Sequence, residues 1–121
     1  MKTITEADVL RIMETLPTER MNPTMGDGGC CYTSPLNPSQ HCIAGEILMQ
    51  LGVELPDPDH ITNCIGVAAL QRVLGFPVED NALYVLQELQ QIADRATEKH
   101  DSHAWGVAIE DIQTWQTERS R

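Results

Sequence analysis

Glycine and proline residues crowd the stretch between residues 17 and 38, and this stretch constrains the fold more than any other. Gly26, Gly28 and Gly29 give the backbone access to positive φ, while Pro35 and Pro38 fix φ and lack an N–H donor. Residues 21–38 therefore do not form one regular element. We predict an irregular connection over 17–38, and connections of this length are commonly functional or disordered.

Cys30, Cys31 and Tyr32 form a small apolar island inside this connection. Tyrosine favours extended structure and cysteine is among the most frequently buried residue types. We expect the island to pin the loop to the core as a short extended piece near residues 30–33. Tyr32 is also a candidate contact for a partner.

A helix is predicted directly after the loop, over residues 39–51. Ser39 is a good N-cap because its hydroxyl accepts a hydrogen bond from an amide of the first turn. Gln40, His41 and Cys42 would then be the first three helical residues. One face carries the apolar residues Ile43, Ile47, Leu48 and Leu51, and Gly52 provides a left-handed stop.

Cys42 is the candidate for chemistry at this helix start. A thiol in the first turn of a helix is typical of a nucleophile or a redox group, because the helix dipole favours the thiolate. His41 is its neighbour in sequence, and His103 is a more distant candidate base that only folding could bring near. The alternative is that Cys42 is a small buried apolar residue, and we favour that interpretation because cysteine is so often buried.

A metal site is the second chemical hypothesis, with Cys30, Cys31, His41 and Cys42 as candidate ligands. Structural zinc sites usually pair ligands two to four residues apart, whereas these four residues form two adjacent pairs. A disulfide between Cys31 and Cys42 would close a short loop, but the N-terminal residues lack the apolar core of a signal peptide. We therefore favour neither a metal site nor a disulfide, keep both as alternatives, and expect no cofactor.

The remaining pattern predicts a single all-α domain over residues 1–121. Thr5 and Asp8 form the signature of a capping box, and apolar residues recur at helical spacing through the chain. The segment 64–74 is apolar nearly all round, which predicts a central helix. Asp94 falls on a predicted solvent face, and 97–102 is a predicted polar turn, with Asp101 or Ser102 capping the next helix. The five predicted helices are 5–16, 39–51, 64–74, 80–96 and 102–117.

Two short motifs carry a resemblance to a known group of proteins. Cys31-Tyr32 is followed, after a proline-containing insert, by Cys42-Ile43-Ala44-Gly45, and Trp105-Gly106-Val107-Ala108 lies near the C-terminus. Across residues 28–112 this pattern resembles small uncharacterised proteins encoded in actinobacterial and bacteriophage genomes. The resemblance implies a shared fold and a phage or mobile-element setting. It implies no catalytic residues, and the doubled cysteine and His41 depart from the pattern.

The formal net charge of −10 limits the partners of the chain. Binding to nucleic acid without sequence preference requires lysines and arginines that replace counterions on phosphates, so we expect no direct nucleic-acid binding. No run of eighteen apolar residues is present, and we expect a cytoplasmic protein without a membrane segment. The prediction is a small acidic protein-binding module, with Trp115 as a candidate exposed contact. A thiol enzyme or switch using Cys42 and a metal-stabilised domain are the alternatives.

Overall fold

A computed structural model describes residues 2–23, 32, 40–55 and 66–120, and within them the chain is helical. The helices are α1 (Glu6–Met13), α2 (Ile43–Gln50), α3 (Val67–Leu74), α4 (Asp80–Glu98) and α5 (Ala104–Arg119). These residues contain no strand, and an isolated parallel bridge joins Ile4 and Val78. The prediction of an all-α domain with five helices is confirmed.

Helix α1 begins as its sequence predicts. The Thr5 hydroxyl accepts from the Asp8 amide at 3.1 Å, and the Asp8 carboxylate accepts from the Thr5 amide at the same distance. Two amides that lack partners inside the helix are thereby satisfied. The apolar stripe of Val9, Ile12 and Met13 is buried, and so is Leu16, although the helix ends at Met13.

Helix α4 is the centre of the domain, since it packs against each of the other four helices. Its most extensive contact is with α5, which follows α4 after a short turn and packs along it. The core-facing residues of α4 are fully buried at Val85, Leu86, Leu89 and Ala93. Such a face would stabilise the fold by about 1.5–3 kcal/mol for each large apolar side chain removed from water.

Helix α3 is not central, so that prediction is wrong. Only Val67 and Leu70 of its residues are buried, whereas Val73 is 60% exposed and Leu74 is 37% exposed. An eight-residue helix at the edge of the bundle buries only the side that faces its neighbours, so its remaining apolar side chains stay exposed. Gly75 ends the helix in a left-handed conformation, as predicted.

The turn between α4 and α5 is shorter than predicted. Thr97 and Glu98 still belong to α4, and Thr97 is buried. His103, rather than Asp101 or Ser102, is the N-cap of α5, and the Asp101 carboxylate instead accepts from the His103 amide at 2.8 Å. The polar composition concealed these two extra helical residues, because the buried Thr97 hydroxyl accepts from the Asn22 amide inside the fold.

The segment before α1 lies beside the segment before α4. The Ile4 amide donates to the Pro77 carbonyl, and the Glu79 amide donates to the Ile4 carbonyl, each at 2.9 Å. Glu79 also accepts from the Glu6 amide through its side chain. These bonds bring the first turn of α1 close to the first turn of α4, where α5 ends.

Candidate functional site

Cys42 is the N-cap of α2, not a residue of its first turn, so the predicted helix start is wrong. Gln40 and His41 are not helical, Cys42 has an extended backbone, and its sulfur accepts from the Gly45 amide at 3.2 Å. Ser39, the predicted cap, lies outside the described residues. The sulfur itself takes the acceptor position that a serine or aspartate oxygen usually fills.

The sulfur of Cys42 is fully buried, with none of the residue exposed to solvent. Its backbone amide donates to the Tyr32 carbonyl at 3.1 Å, which holds Tyr32 against the start of α2. Gly45 makes this approach possible, because a Cβ there would lie 2.9 Å from the Tyr32 carbonyl oxygen. The arrangement is that of a packed structural cysteine.

Tyr32 is 1% exposed, so this residue of the predicted apolar island lies in the core, while Cys30 and Cys31 lie outside the described residues. Burial raises the pKa of its phenol far above the ordinary range, and the nearby Cys42 and Asp94 raise it further. The phenol is therefore neutral at physiological pH. The Tyr32 side chain, a candidate contact for a partner, therefore packs in the interior of the protein.

Asn22 joins three helices through its buried amide. Its Oδ1 accepts from the Trp105 indole N–H at 2.8 Å and from the Ile43 amide at 2.9 Å, and its Nδ2 donates to Asp94 at 2.6 Å. The Asn22 backbone amide adds a bond to Thr97. Asp94 is therefore part of this network rather than of a purely solvated face, which corrects the sequence prediction. We call these residues the Asn22 hub.

The segment just before Asn22 also contacts the first residues of α5. The amides of Trp105 and Gly106 donate to the backbone carbonyls of Arg20 and Thr18 at 3.0 and 3.1 Å. The Arg20 guanidinium lies 5.3 Å from the centroid of the Trp105 ring. Trp105 is fully buried, as the sequence predicted for it.

The two histidines predicted as bases for Cys42 lie in different surroundings. His103 is exposed, and its ring nitrogens lie 3.2 Å from the Ser102 hydroxyl and 3.6 Å from Glu19. His41 is half-buried just before the cap. Cys30 and Cys31 lie outside the described residues, and within the described ranges no three histidine, cysteine or acidic residues gather as a metal site.

A surface cluster forms where α4 begins and α5 ends. The rings of Tyr84 and Trp115 lie 5.3 Å apart between centroids and are tilted by 43°. The Arg119 guanidinium lies 4.2 Å above the Trp115 ring and binds both carboxylate oxygens of Glu6. Tyr84 is 41% exposed and Trp115 is half-buried. We call these four residues the Trp115 cluster.

Glu6 and Arg119 shift the proton affinities of each other. Hydrogen bonding to Arg119 lowers the pKa of Glu6 despite its partial burial, and the bond to Glu6 raises the pKa of Arg119. The side chain of Glu6 is only 18% exposed, whereas that of Arg119 is 43% exposed. The pair is thus a fixed carboxylate that holds a guanidinium against an aromatic face.

Sequence reasoning missed Asn22, Glu6, Tyr84 and Arg119. A polar residue inside an irregular stretch gives no local signal of burial, so Asn22 could not have been found. The Trp115 cluster had a weak signal in the sequence, because Trp115 and Arg119 lie one helical turn apart on α5. The partner carboxylate lies 113 residues away in sequence, which no local pattern reveals.

Comparisons of the chain with models of protein families, with curated proteins and with solved structures each find no match. The resemblance to actinobacterial and phage proteins therefore stays a prediction. None of the helices in the described part of the chain is long and apolar enough to cross a membrane. The fold therefore places the chain among small all-α domains.

Proposed function

We propose that this chain is a small protein-binding module that acts by contacting a protein partner through the Trp115 cluster. The observation that carries the proposal is the tilted pair formed by Tyr84 and Trp115 on the outer side of α4 and α5. Tyrosine, tryptophan and arginine are the residues most enriched at the energetic centres of protein interfaces. Three of the four residues in the cluster are of these types.

Carboxylates lie about one helical turn from each member of the aromatic pair. Glu88 follows Tyr84 by one helical turn on α4, and Asp111 precedes Trp115 by one turn on α5, while Glu118 lies three residues after Trp115. Residues at these spacings lie on one helix face. Together with the net charge of −10, they favour a partner with a positively charged surface, which would also speed the encounter.

The environment of Cys42 supports binding rather than thiol chemistry. The sulfur is fully buried and accepts from the Gly45 amide, whereas reactive cysteines are usually accessible. The acidic charge likewise favours a protein partner over nucleic acid. A phage or mobile-element setting belongs to the same proposal on the strength of the sequence resemblance, and so does the cytoplasmic location expected from the sequence.

Quantitative capture from a lysate of the source cells tests the proposal, with wild-type protein and Trp115→Ala as baits. We expect one partner with a basic surface to be enriched by the wild type and reduced at least tenfold with Trp115→Ala. Val73→Ala is the matched control, because it also truncates an exposed apolar side chain but lies on α3. Thermal melts of the three baits establish that each is folded.

Two outcomes would contradict the proposal. If no protein distinguishes wild type from Trp115→Ala, the cluster does not contact a partner. If Val73→Ala loses the partner and Trp115→Ala retains it, the contact lies on the exposed side of α3 instead. Purified partner titrated into wild type and both variants then gives the ratio of dissociation constants directly.

A further inference from the structure

The Trp115 cluster contains the two groups that recognise an arginine side chain. The Glu6 carboxylate accepts from both Nη1 and Nη2 of Arg119, and the Trp115 ring lies 4.2 Å below the guanidinium carbon. A planar guanidinium matches a carboxylate in this forked manner and also stacks on an aromatic face, whereas a lysine ammonium does neither as well.

Glu6 and Trp115 are held independently of the arginine that they bind. The Glu6 amide donates to the Glu79 side chain, and Trp115 packs against Tyr84. Glu6 lies in the first turn of α1, directly after Thr5, which is the N-cap of that helix. The Glu6 backbone and the Trp115 ring therefore have contacts of their own besides those to the arginine.

Arg119 is held less firmly than the groups that bind it. It is the last residue of α5, and its side chain is 43% exposed, against 18% for Glu6. The ends of helices fray at a free-energy cost close to zero, so its release costs little beyond the contacts themselves.

We propose that Glu6 and Trp115 form an arginine-binding site that Arg119 fills from within the chain, and that an arginine of the protein partner takes its place. This inference rests on the proposed function and names the chemistry of the partner. The eighteen acidic residues, set against eight basic ones, favour approach of an arginine-bearing segment. Arg119 then acts as a competitor that sets the affinity for the partner.

Titration with a labelled triarginine peptide, followed by fluorescence anisotropy at physiological salt, tests the competition. Arg119→Ala vacates the site, and we expect it to bind triarginine about fivefold tighter than wild type, the order expected of one cation–π contact with its ion pair. Arg11→Ala is the matched control. It removes the same charge from an exposed pair with Asp8 on α1 and should leave the affinity unchanged apart from the charge effect.

Two further measurements separate the site from general electrostatics. Glu6→Gln in the Arg119→Ala background should abolish the gain, and trilysine should show a smaller gain than triarginine. In NMR spectra of Arg119→Ala, the Trp115 indole signal should shift on titration while that of the buried Trp105 stays still. If Arg119→Ala fails to fold, Arg119→Lys replaces it, with a smaller gain expected because the lysine lacks the fork.

The inference is overturned if Arg119→Ala binds triarginine no tighter than Arg11→Ala, or if the peptide shifts the Trp105 and Trp115 signals equally. The proposed function survives that result when a captured partner still depends on Trp115. Conversely, a tight arginine site on a chain that captures no Trp115-dependent partner overturns the proposed function alone.

Discussion

The indole N–H of Trp105 donates to the side-chain oxygen of Asn22 at 2.8 Å, across 83 residues of chain. The same oxygen accepts from the Ile43 amide, so one acceptor satisfies a buried donor on α5 and the first amide of α2. A buried donor without an acceptor costs about 1–3 kcal/mol. The Asn22 hub therefore joins the segment after α1 to α2, α4 and α5 through buried hydrogen bonds.

We expect Asn22→Ala to lower the free energy of unfolding by about 3 kcal/mol, because it leaves the Trp105 and Ile43 donors without their acceptor. Urea denaturation followed by circular dichroism measures the loss. Gln113→Ala, at an exposed position of α5, is the control and should change stability by less than about 0.5 kcal/mol. Equal stability of the two variants would show that the hub contributes nothing.

Gly45→Ala should destabilise the protein, although alanine is ordinarily the better helix former by about 1 kcal/mol. The added Cβ would lie 2.9 Å from the Tyr32 carbonyl oxygen and 3.3 Å from the Cys42 sulfur. That carbonyl is already bonded to the Cys42 amide and cannot retreat without breaking the bond. We expect a loss of about 1–3 kcal/mol, as for other overpacked sites.

Gly66→Ala is the comparison for this substitution, since a Cβ at Gly66 meets none of the described residues within 4 Å. It should lose less stability than Gly45→Ala in the same urea titration. A Gly45→Ala variant that is as stable as the wild type would contradict the close contact between Tyr32 and α2.

The bond between Glu6 and Arg119 should make stability depend on pH. Because the bond lowers the pKa of Glu6, the folded state binds fewer protons than the unfolded state at acidic pH. Its stabilisation is complete above the ordinary glutamate pKa of about 4.3 and is lost as the pH falls through the lower folded value. The stability advantage of wild type over Glu6→Gln should therefore shrink between pH 5 and about pH 3.

Arg119→Ala supplies the control for this pH dependence. In that background, Glu6→Gln should alter the unfolding free energy by a smaller amount that varies less with pH, because the main cause of the pKa shift has been removed. A difference between wild type and Glu6→Gln that stays constant from pH 7 to pH 3 would contradict the bond.

Local sequence patterns were sufficient to predict features that depend only on residues three or four positions apart. The capping box of Thr5 and Asp8 and the buried stripe of Val9, Ile12 and Met13 follow from spacings of three and four residues. Burial of Trp105 followed in the same way, because it begins an apolar stripe on α5.

The contacts that organise the candidate sites depend on distant residues and could not be predicted. Asn22 bonds to Asp94 and Trp105 across 72 and 83 residues, and Arg119 reaches Glu6 across 113. The start of α2 was misplaced for a related reason. Serine is the stronger N-cap by preference, but the bond from the Cys42 amide to Tyr32 holds the residues before Ile43 out of the helix.

The claim that Cys42 caps a helix, and that function lies on the surface instead, has a direct chemical test. The folded protein is exposed to iodoacetamide and then digested with chymotrypsin, whose cleavage after Tyr32 and Leu48 leaves Cys42 on a peptide without another cysteine. Mass spectrometry of that peptide gives the rate at which Cys42 is alkylated. A parallel sample in urea gives the rate for the unfolded chain.

Burial of the sulfur predicts that Cys42 in the native protein is alkylated at least a hundredfold more slowly than in urea, and only through unfolding, which is consistent with a marginally stable domain. A rate in the native protein that equals or exceeds the rate in urea would contradict the account, because it would mean an accessible and activated thiol at the start of α2.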